Sequence, residues 1–186
     1  MIKKLAENVW KIQLSSNLYL LDIGKLVVID TGDRKDRQQL LLFLERVVEP
    51  AKVDIVVFTH LHYDHIGNFD LFKNAWFYAS RAEIMDFKRD AKRTVLREDI
   101  AGLFDIELLP VETLNLKQLE FVLTPGHTRG SICIWYPKHR ILFSGDTLFN
   151  DGFGRTDLPT SDPAAFKRTL LKLTGYNFKI LAPGHG

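Results

Sequence analysis

His60-Leu61-His62-Tyr63-Asp64-His65 holds half of the six histidines of a 186-residue chain, together with a carboxylate that can join them. Imidazole and carboxylate are the donors that suit Zn, Fe and Mn, so this run predicts a metal site that draws further ligands from elsewhere. It follows Asp54-Ile55-Val56-Val57-Phe58, a continuous apolar segment that predicts a buried strand. It precedes Ile66-Gly67-Asn68-Phe69-Asp70-Leu71-Phe72, which predicts the first turns of a helix. A junction of this kind places side chains at the carboxyl end of a sheet, where open α/β sheets bind ligands. His60 and His62, two residues apart in an extended loop, project the same way and can chelate one ion. Asp64 and His65 fall beyond the turn and face a neighbouring position, so two ions side by side are expected.

Three further segments end a strand with a turn and a ligand-type residue: Thr124-Pro125-Gly126-His127-Thr128, Phe143-Ser144-Gly145-Asp146-Thr147 and Leu181-Ala182-Pro183-Gly184-His185. In each, a Gly directly precedes the ligand, which lets the backbone turn sharply and approach other groups closely. Singly, each reads more readily as an ordinary turn than as a ligand. Together they supply His127, Asp146 and His185 at loop positions matching the earlier four donors. His139, between Lys138 and Arg140 in a polar turn, reads as a surface histidine. Cys133 alternates with Ile132 and Ile134 in a strand and reads as core or a neighbour of the site, not a nucleophile.

Around these segments the pattern alternates strand and helix. Asn8 to Leu14, Asn17 to Asp22 and Lys25 to Asp30 predict three short strands, with Gly24 in a tight hairpin. Arg37 to Val48 carries helical spacing up to Pro50. A strand around Trp76 to Tyr78, a charged helix from Ser80, and strands at Ile106 to Leu109 and Leu119 to Leu123 follow. Ser131 to Tyr136 and Arg140 to Ser144 form an expected hairpin. Thr160-Ser161-Asp162-Pro163 supplies an N-cap and an N1 proline for a helix ending near Thr174, and a last strand runs from Phe178 to Ala182. Strand clusters interrupted by helices in both halves predict two sheets packed face to face with helices on the outer faces. No repeat or linker divides residues 1–186, so one domain is expected.

A hydrophobic content of 46% with thirteen Phe supplies a layered core and excludes general disorder. The net charge of +2 neither demands nor forbids a polyanionic partner. The basic residues Lys88, Arg89, Lys92, Arg93 and Arg97 share the segment Arg81 to Asp99 with Glu83, Asp86, Asp90, Glu98 and Asp99, and mixed signs at helical spacing predict a solvated face, not an RNA surface. The lone Cys133 forms no internal disulfide, the opening residues lack a signal-peptide core, and no stretch reaches membrane-spanning length, so a cytoplasmic location is expected.

The set HxHxDH, followed by single His, Asp and His residues in this order, resembles the metallo-β-lactamase fold superfamily, over essentially the whole chain from Val27-Val28-Ile29-Asp30-Thr31-Gly32 to His185. The resemblance implies an αββα sandwich with the site at one edge between the sheets. It implies His60, His62 and His127 on a first divalent ion, Asp64, His65 and His185 on a second, and Asp146 bridging, with Zn the expected metal and Fe or Mn the alternatives. It also implies that Asp30 supports the ligand loops from behind. Thr124 to Thr128 with Ser131, and Gly152-Phe153-Gly154-Arg155-Thr156-Asp157-Leu158-Pro159, resemble the small glyoxalase II-like hydrolases. Arg155 and Asp157 are therefore substrate-loop candidates, read here foremost as a loop-locking ion pair. Full-length glyoxalase II carries an additional carboxyl-terminal helical region with glutathione contacts, and this chain stops one residue after His185. A trimmed terminal helix, or a Gly186 carboxylate that perturbs the second metal, is the expectation that follows.

The implied chemistry is attack of hydroxide, formed from water shared by two ions, on an ester-type carbonyl, with Asp64 and Asp146 as catalytic groups and Asp64 moving the proton. A small-molecule thioester such as S-lactoylglutathione is the first expectation, a lactone or β-lactam the next, and RNA the last, because no separate RNA-binding appendage is evident. The competing class is a mononuclear-iron persulfide dioxygenase with a similar motif set. Flavodiiron oxygen reductases carry Glu where this chain has His62, which argues against that branch. A structural zinc is disfavoured because such sites are closed and Cys-rich.

Overall fold

The computed structural model describes residues 1–186. Its first sheet has seven strands in the order of the chain: β1 (Ile2–Ala6), β2 (Val9–Ile12), β3 (Leu18–Asp22), β4 (Leu26–Ile29), β5 (Ile55–Val57), β6 (Trp76–Ala79) and β7 (Leu108–Pro110). The first four pair antiparallel, and β4 to β7 pair parallel. The second sheet has the order β13 (Ile180–Pro183), β10 (Ile141–Gly145), β9 (Ile132–Tyr136) and β8 (Glu120–Leu123), with β10 and β13 parallel and the other pairs antiparallel. A two-stranded ribbon, β11 (Leu148–Phe149) and β12 (Gly152–Phe153), forms a small sheet of its own beside β10 and β13.

The apolar runs of β4 and β5 lack alternation because both faces of the first sheet are covered. Val27, Ile29, Ile55 and Val57 point to the second sheet and meet Ile132, Ile134, Ile141 and Phe143. Val28, Val56 and Phe58 point the other way, against Leu40 and Leu44 of α1 (Arg37–Leu44), Ile84 of α3 (Arg81–Arg89), Val95 of α4 (Ala91–Val95) and Ile100 of α5 (Glu98–Leu103). On the outer face of the second sheet, Val122, Cys133 and Leu142 pack on Leu173 of α6 (Pro163–Leu173). The order of layers is helix, sheet, sheet, helix, as the resemblance implied. Phe58, fully buried, stacks on Phe77 at 6.1 Å and meets Phe104 edge-on at 5.6 Å. Phe58→Ala is expected to remove about 3–5 kcal/mol of stability. Urea unfolding of the metal-free protein checks this, and a loss under about 1 kcal/mol would contradict the packing described.

Several boundaries differ from the sequence expectation. An extra amino-terminal strand, β1, pairs with β2, because Ile2 and Leu5 find partners in the core that the short segment does not advertise. The first helix stops at Leu44, before Pro50, and the charged helix from Ser80 breaks at Asp90 and at the left-handed Leu96 into α3, α4 and α5. The helix expected from Ile66 begins earlier: α2 spans Tyr63–Ile66, so Asp64 and His65 lie within it. The mixed-charge segment is not wholly a solvated face, since Glu83 and Asp86 are buried. His139 is half-buried, edge-on to Tyr136 at 5.1 Å.

Candidate metal centre

Every ligand-type residue follows the carboxyl end of a strand. Asp30 follows β4, His60 to His65 follow β5, His127 follows β8, Asp146 follows β10 and His185 follows β13. Cross-links hold these ends together: Ile132 N donates to the Thr59 carbonyl at 2.9 Å, Thr31 N to the His65 carbonyl at 2.6 Å, and Gly184 N to the Gly145 carbonyl at 2.7 Å.

The seven candidate donors converge. His60, His62 and His127 place one donor atom each within 4.8 Å of one another, and so do Asp64, His65 and His185. A third group, His60, His65 and Asp146, meets the same limit and puts Asp146 between the other two. Its Oδ1 is 3.3 Å from His65 Nε2, and its Oδ2 is 3.6 Å from His127 Nε2 and 3.4 Å from His185 Nε2. Asp64 Oδ2 lies 3.3 Å from His185 Nε2.

Four of the five rings are oriented through Nδ1. His60 Nδ1 donates to Thr59 Oγ1 (3.1 Å), His65 Nδ1 to Asp30 Oδ2 (2.8 Å), His127 Nδ1 to the Arg155 carbonyl (2.9 Å) and His185 Nδ1 to the Ser15 carbonyl (2.7 Å). A proton held on Nδ1 leaves the Nε2 lone pair facing the centre, the tautomer a metal ligand needs. His62 turns the other way, its Nδ1 3.0 Å from His127 Nε2.

Asp30 thus sits behind the centre. Buried, with a left-handed φ of 57°, it accepts from Thr59 N at 2.7 Å and Thr59 Oγ1 at 2.8 Å as well as from His65. Asp30→Asn tolerates the backbone but turns an amide N–H toward one of these donors. It is expected to weaken cation binding at His65 roughly 10- to 100-fold. Competition with a chromophoric chelator measures this, and an unchanged affinity would remove the role.

Charge divides the centre in two. Burial drives His60 well below its ordinary pKa and His62 down to about 3, with neighbouring imidazoles adding to it, and burial also lowers His127. In the other half, burial opposes ionisation of Asp64, but His65 and His185 hold it at about 2. Burial likewise opposes Asp146, which His65 and His185 keep well below the carboxylate range. His185 rises to about 10 through its bonds to Asp146 and Asp64. Burial pulls His65 down, yet Asp146, Asp30 and Asp64 outweigh it and raise the ring well above its usual value. Two imidazoles therefore take up protons as counter-charge to the carboxylates. Divalent cations held by these residues would supply that charge instead and release the protons.

The residues fit such cations on a second count. Four buried atoms without a hydrogen-bond partner belong to this cluster: His60 Nε2, His62 Nε2, His65 Nε2 and Asp146 Oδ1. His65 Nε2 and Asp146 Oδ1 are close enough to attract but are not aligned as a hydrogen bond. Buried polar atoms left this way cost free energy that coordination of a cation would recover.

The profile described as the Metallo-beta-lactamase superfamily matches residues 12–185. The chain belongs to this superfamily. A protein of Methanocaldococcus jannaschii named "Probable metallo-hydrolase" is 34% identical over 92% of this chain and 88% of its own length. The cytoplasmic isozyme of hydroxyacylglutathione hydrolase from Saccharomyces cerevisiae is 33% identical over 74% of this chain, which spans 52% of that relative. The crystal structure of TTHA1623 in a di-iron-bound form superposes with a TM-score of 0.74 at 25% identity, covering 95% of this chain and 91% of that one.

In this superfamily member, Arg155 and Asp157 form a bidentate ion pair at 2.7 and 2.8 Å, largely exposed, and the Arg155 carbonyl holds His127. Cys133 is fully buried and its thiol is pushed up by burial to about 11, which rules it out as a nucleophile at neutral pH. A cavity of about 450 Å³ beside His185 is lined by Phe149, Asn150 and Asp151, with the Phe149 ring 6.1 Å from the imidazole. A groove of equal volume, lined by Asp86, Arg89, Arg93, Arg129 and Thr160, contains no ligand cluster. No helix is long and apolar enough to cross a membrane.

Sequence reasoning missed Glu83. Burial pushes its carboxyl up to about 7, against hydrogen bonds from Thr128, Leu61 and Gly130. Its position in a charged helix hid this; the one local signal was the Ser80-to-Glu83 spacing of a helix start.

Proposed function

We propose that this chain is a dinuclear-metal hydrolase of acyl compounds, with a thioester of the hydroxyacylglutathione type as first substrate. The observation that carries the reading is the pair of adjacent three-donor groups with Asp146 between them. In this assignment His60, His62 and His127 hold one cation, Asp64, His65 and His185 the other, and Asp146 both. Divalent cations held here would polarise a carbonyl as Lewis acids and lower the pKa of bound water to near neutral.

The protein's own groups do the rest. Asp30, Thr59 and the Arg155 and Ser15 carbonyls fix the imidazoles, so no reorganisation is needed as charge develops. Asp64, at 20% exposure against 11% for Asp146, is the carboxylate that can exchange a proton with bulk water, and its Oδ2 is the station for that proton on its way to the leaving group. Phe149, edge-on to His185 at 6.1 Å, offers an apolar wall to an acyl chain.

The thioester preference rests on the similarity to the yeast hydroxyacylglutathione hydrolase. Lactones and β-lactams present the same carbonyl and rank next. Metal analysis with a parallel screen of S-lactoylglutathione, a simple lactone, nitrocefin and RNA tests the proposal. Two metals per chain and chelator-sensitive thioester hydrolysis are expected. One iron per chain with oxygen uptake on glutathione persulfide would replace it with the dioxygenase reading.

A further inference from the structure

Ser80 and Glu83 have the spacing of a capping box, in which the glutamate reaches back to the amide of the capping serine. Ser80 performs its half: its Oγ accepts from Glu83 N at 3.1 Å at the start of α3. The carboxylate goes elsewhere. Fully buried, it accepts Leu61 N on Oε2 at 3.1 Å, and Gly130 N at 3.2 Å together with the Thr128 hydroxyl on Oε1. Leu61 lies between His60 and His62, and Thr128 follows His127. One side chain thus grips both loops that carry the three-imidazole group.

The approach is too close for anything larger at the far loop. A Cβ on Gly130 would stand 2.4 Å from Glu83 N and 2.6 Å from Ser80 Oγ, while Ser80 Oγ donates to the Gly130 carbonyl at 2.6 Å. The helix start and the loop after His127 are therefore pressed together with Glu83 at the seam. Desolvating a carboxylate here is costly, and an apolar side chain would fill the space without that cost. What an apolar side chain lacks is an acceptor on each arm, one for each loop.

We propose that Glu83 is a positioning residue: it sets the distance between the His60 and His62 loop and His127, and so preorganises that group for its cation. The inference rests on the metal assignment proposed above. A Gln cannot substitute fully, because its amide places N–H groups against N–H donors of one loop or the other.

The test uses the full chain with Glu83→Gln, and with Leu173→Ala as a control whose lost packing lies under α6, away from the centre. Zinc affinity is read by chelator competition and the first-site geometry by the visible spectrum of one equivalent of cobalt(II). Glu83→Gln is expected to weaken the first cation roughly 10- to 100-fold and to shift the cobalt spectrum. Leu173→Ala is expected to lower Tm while leaving affinity and spectrum as they were. Should Glu83→Gln fail to fold, Thr128→Val removes one of the three donors and is expected to move both readouts in the same direction by a smaller factor. Wild-type affinity and spectrum in the glutamate or threonine variant, or an equal loss in Leu173→Ala, would overturn the proposal. A wild-type protein that binds no cation would instead remove the metal assignment itself.

Discussion

Asp146→Asn is expected to cut turnover by roughly three powers of ten, about 4 kcal/mol of transition-state stabilisation, and to lower metal content from two ions per chain to one. Asp146 is a carboxylate set against members of both donor groups, His65, His127 and His185, at 3.3, 3.6 and 3.4 Å. Asn keeps its volume but removes the charge that would draw a second cation close to the first, and it points an N–H at an imidazole or at the cation site. His65 and His185 also lose the carboxylate that most raises each of them. Metal analysis by mass spectrometry beside kcat on the best substrate decides the matter, with circular dichroism to show that the fold persists. Two tightly held ions with undiminished turnover would sink the bridging role.

Gly184→Ala is expected to abolish occupancy of the Asp64, His65 and His185 group and, with it, most activity, although the residue bears no donor. A Cβ at this position would stand 2.1 Å from Asp146 Oδ1 and 2.7 Å from His65 Cε1, inside the centre itself. Neither neighbour has room to retreat, since Asp30 holds His65 at 2.8 Å and Asp146 leaves the end of β10 beside Gly145. Gly184 is held too, its N–H donating to the Gly145 carbonyl and its carbonyl accepting from Asn17 N, both at 2.7 Å. Overpacking of this kind costs about 1–3 kcal/mol of stability in addition to the lost cation. Gly102→Ala in α5, where the new methyl meets nothing within 4 Å, is the matched control and is expected to be neutral or slightly stabilising. Equal metal content in both variants would show that the backbone approach at Gly184 carries no weight.

Sequence by itself picked out the candidate donors and determined the layers. Donor chemistry is written in residue type, so His60 to His65, His127, Asp146 and His185 could be named before any fold was known. Burial on both sheet faces is written in a continuous apolar run, so β5 could be named as a buried strand, while β4 read only as a short strand. Tertiary structure decided whatever depends on which segments meet. It turned Glu83 from one charge on an expected solvated face into a clamp on two loops, set Gly184 against Asp146, and put the Arg155 carbonyl, not its guanidinium, on His127. The physical reason is range: periodicity and spacing record neighbours a few residues apart, whereas these contacts join residues up to 47 positions apart through the packing of two sheets, which no local pattern encodes.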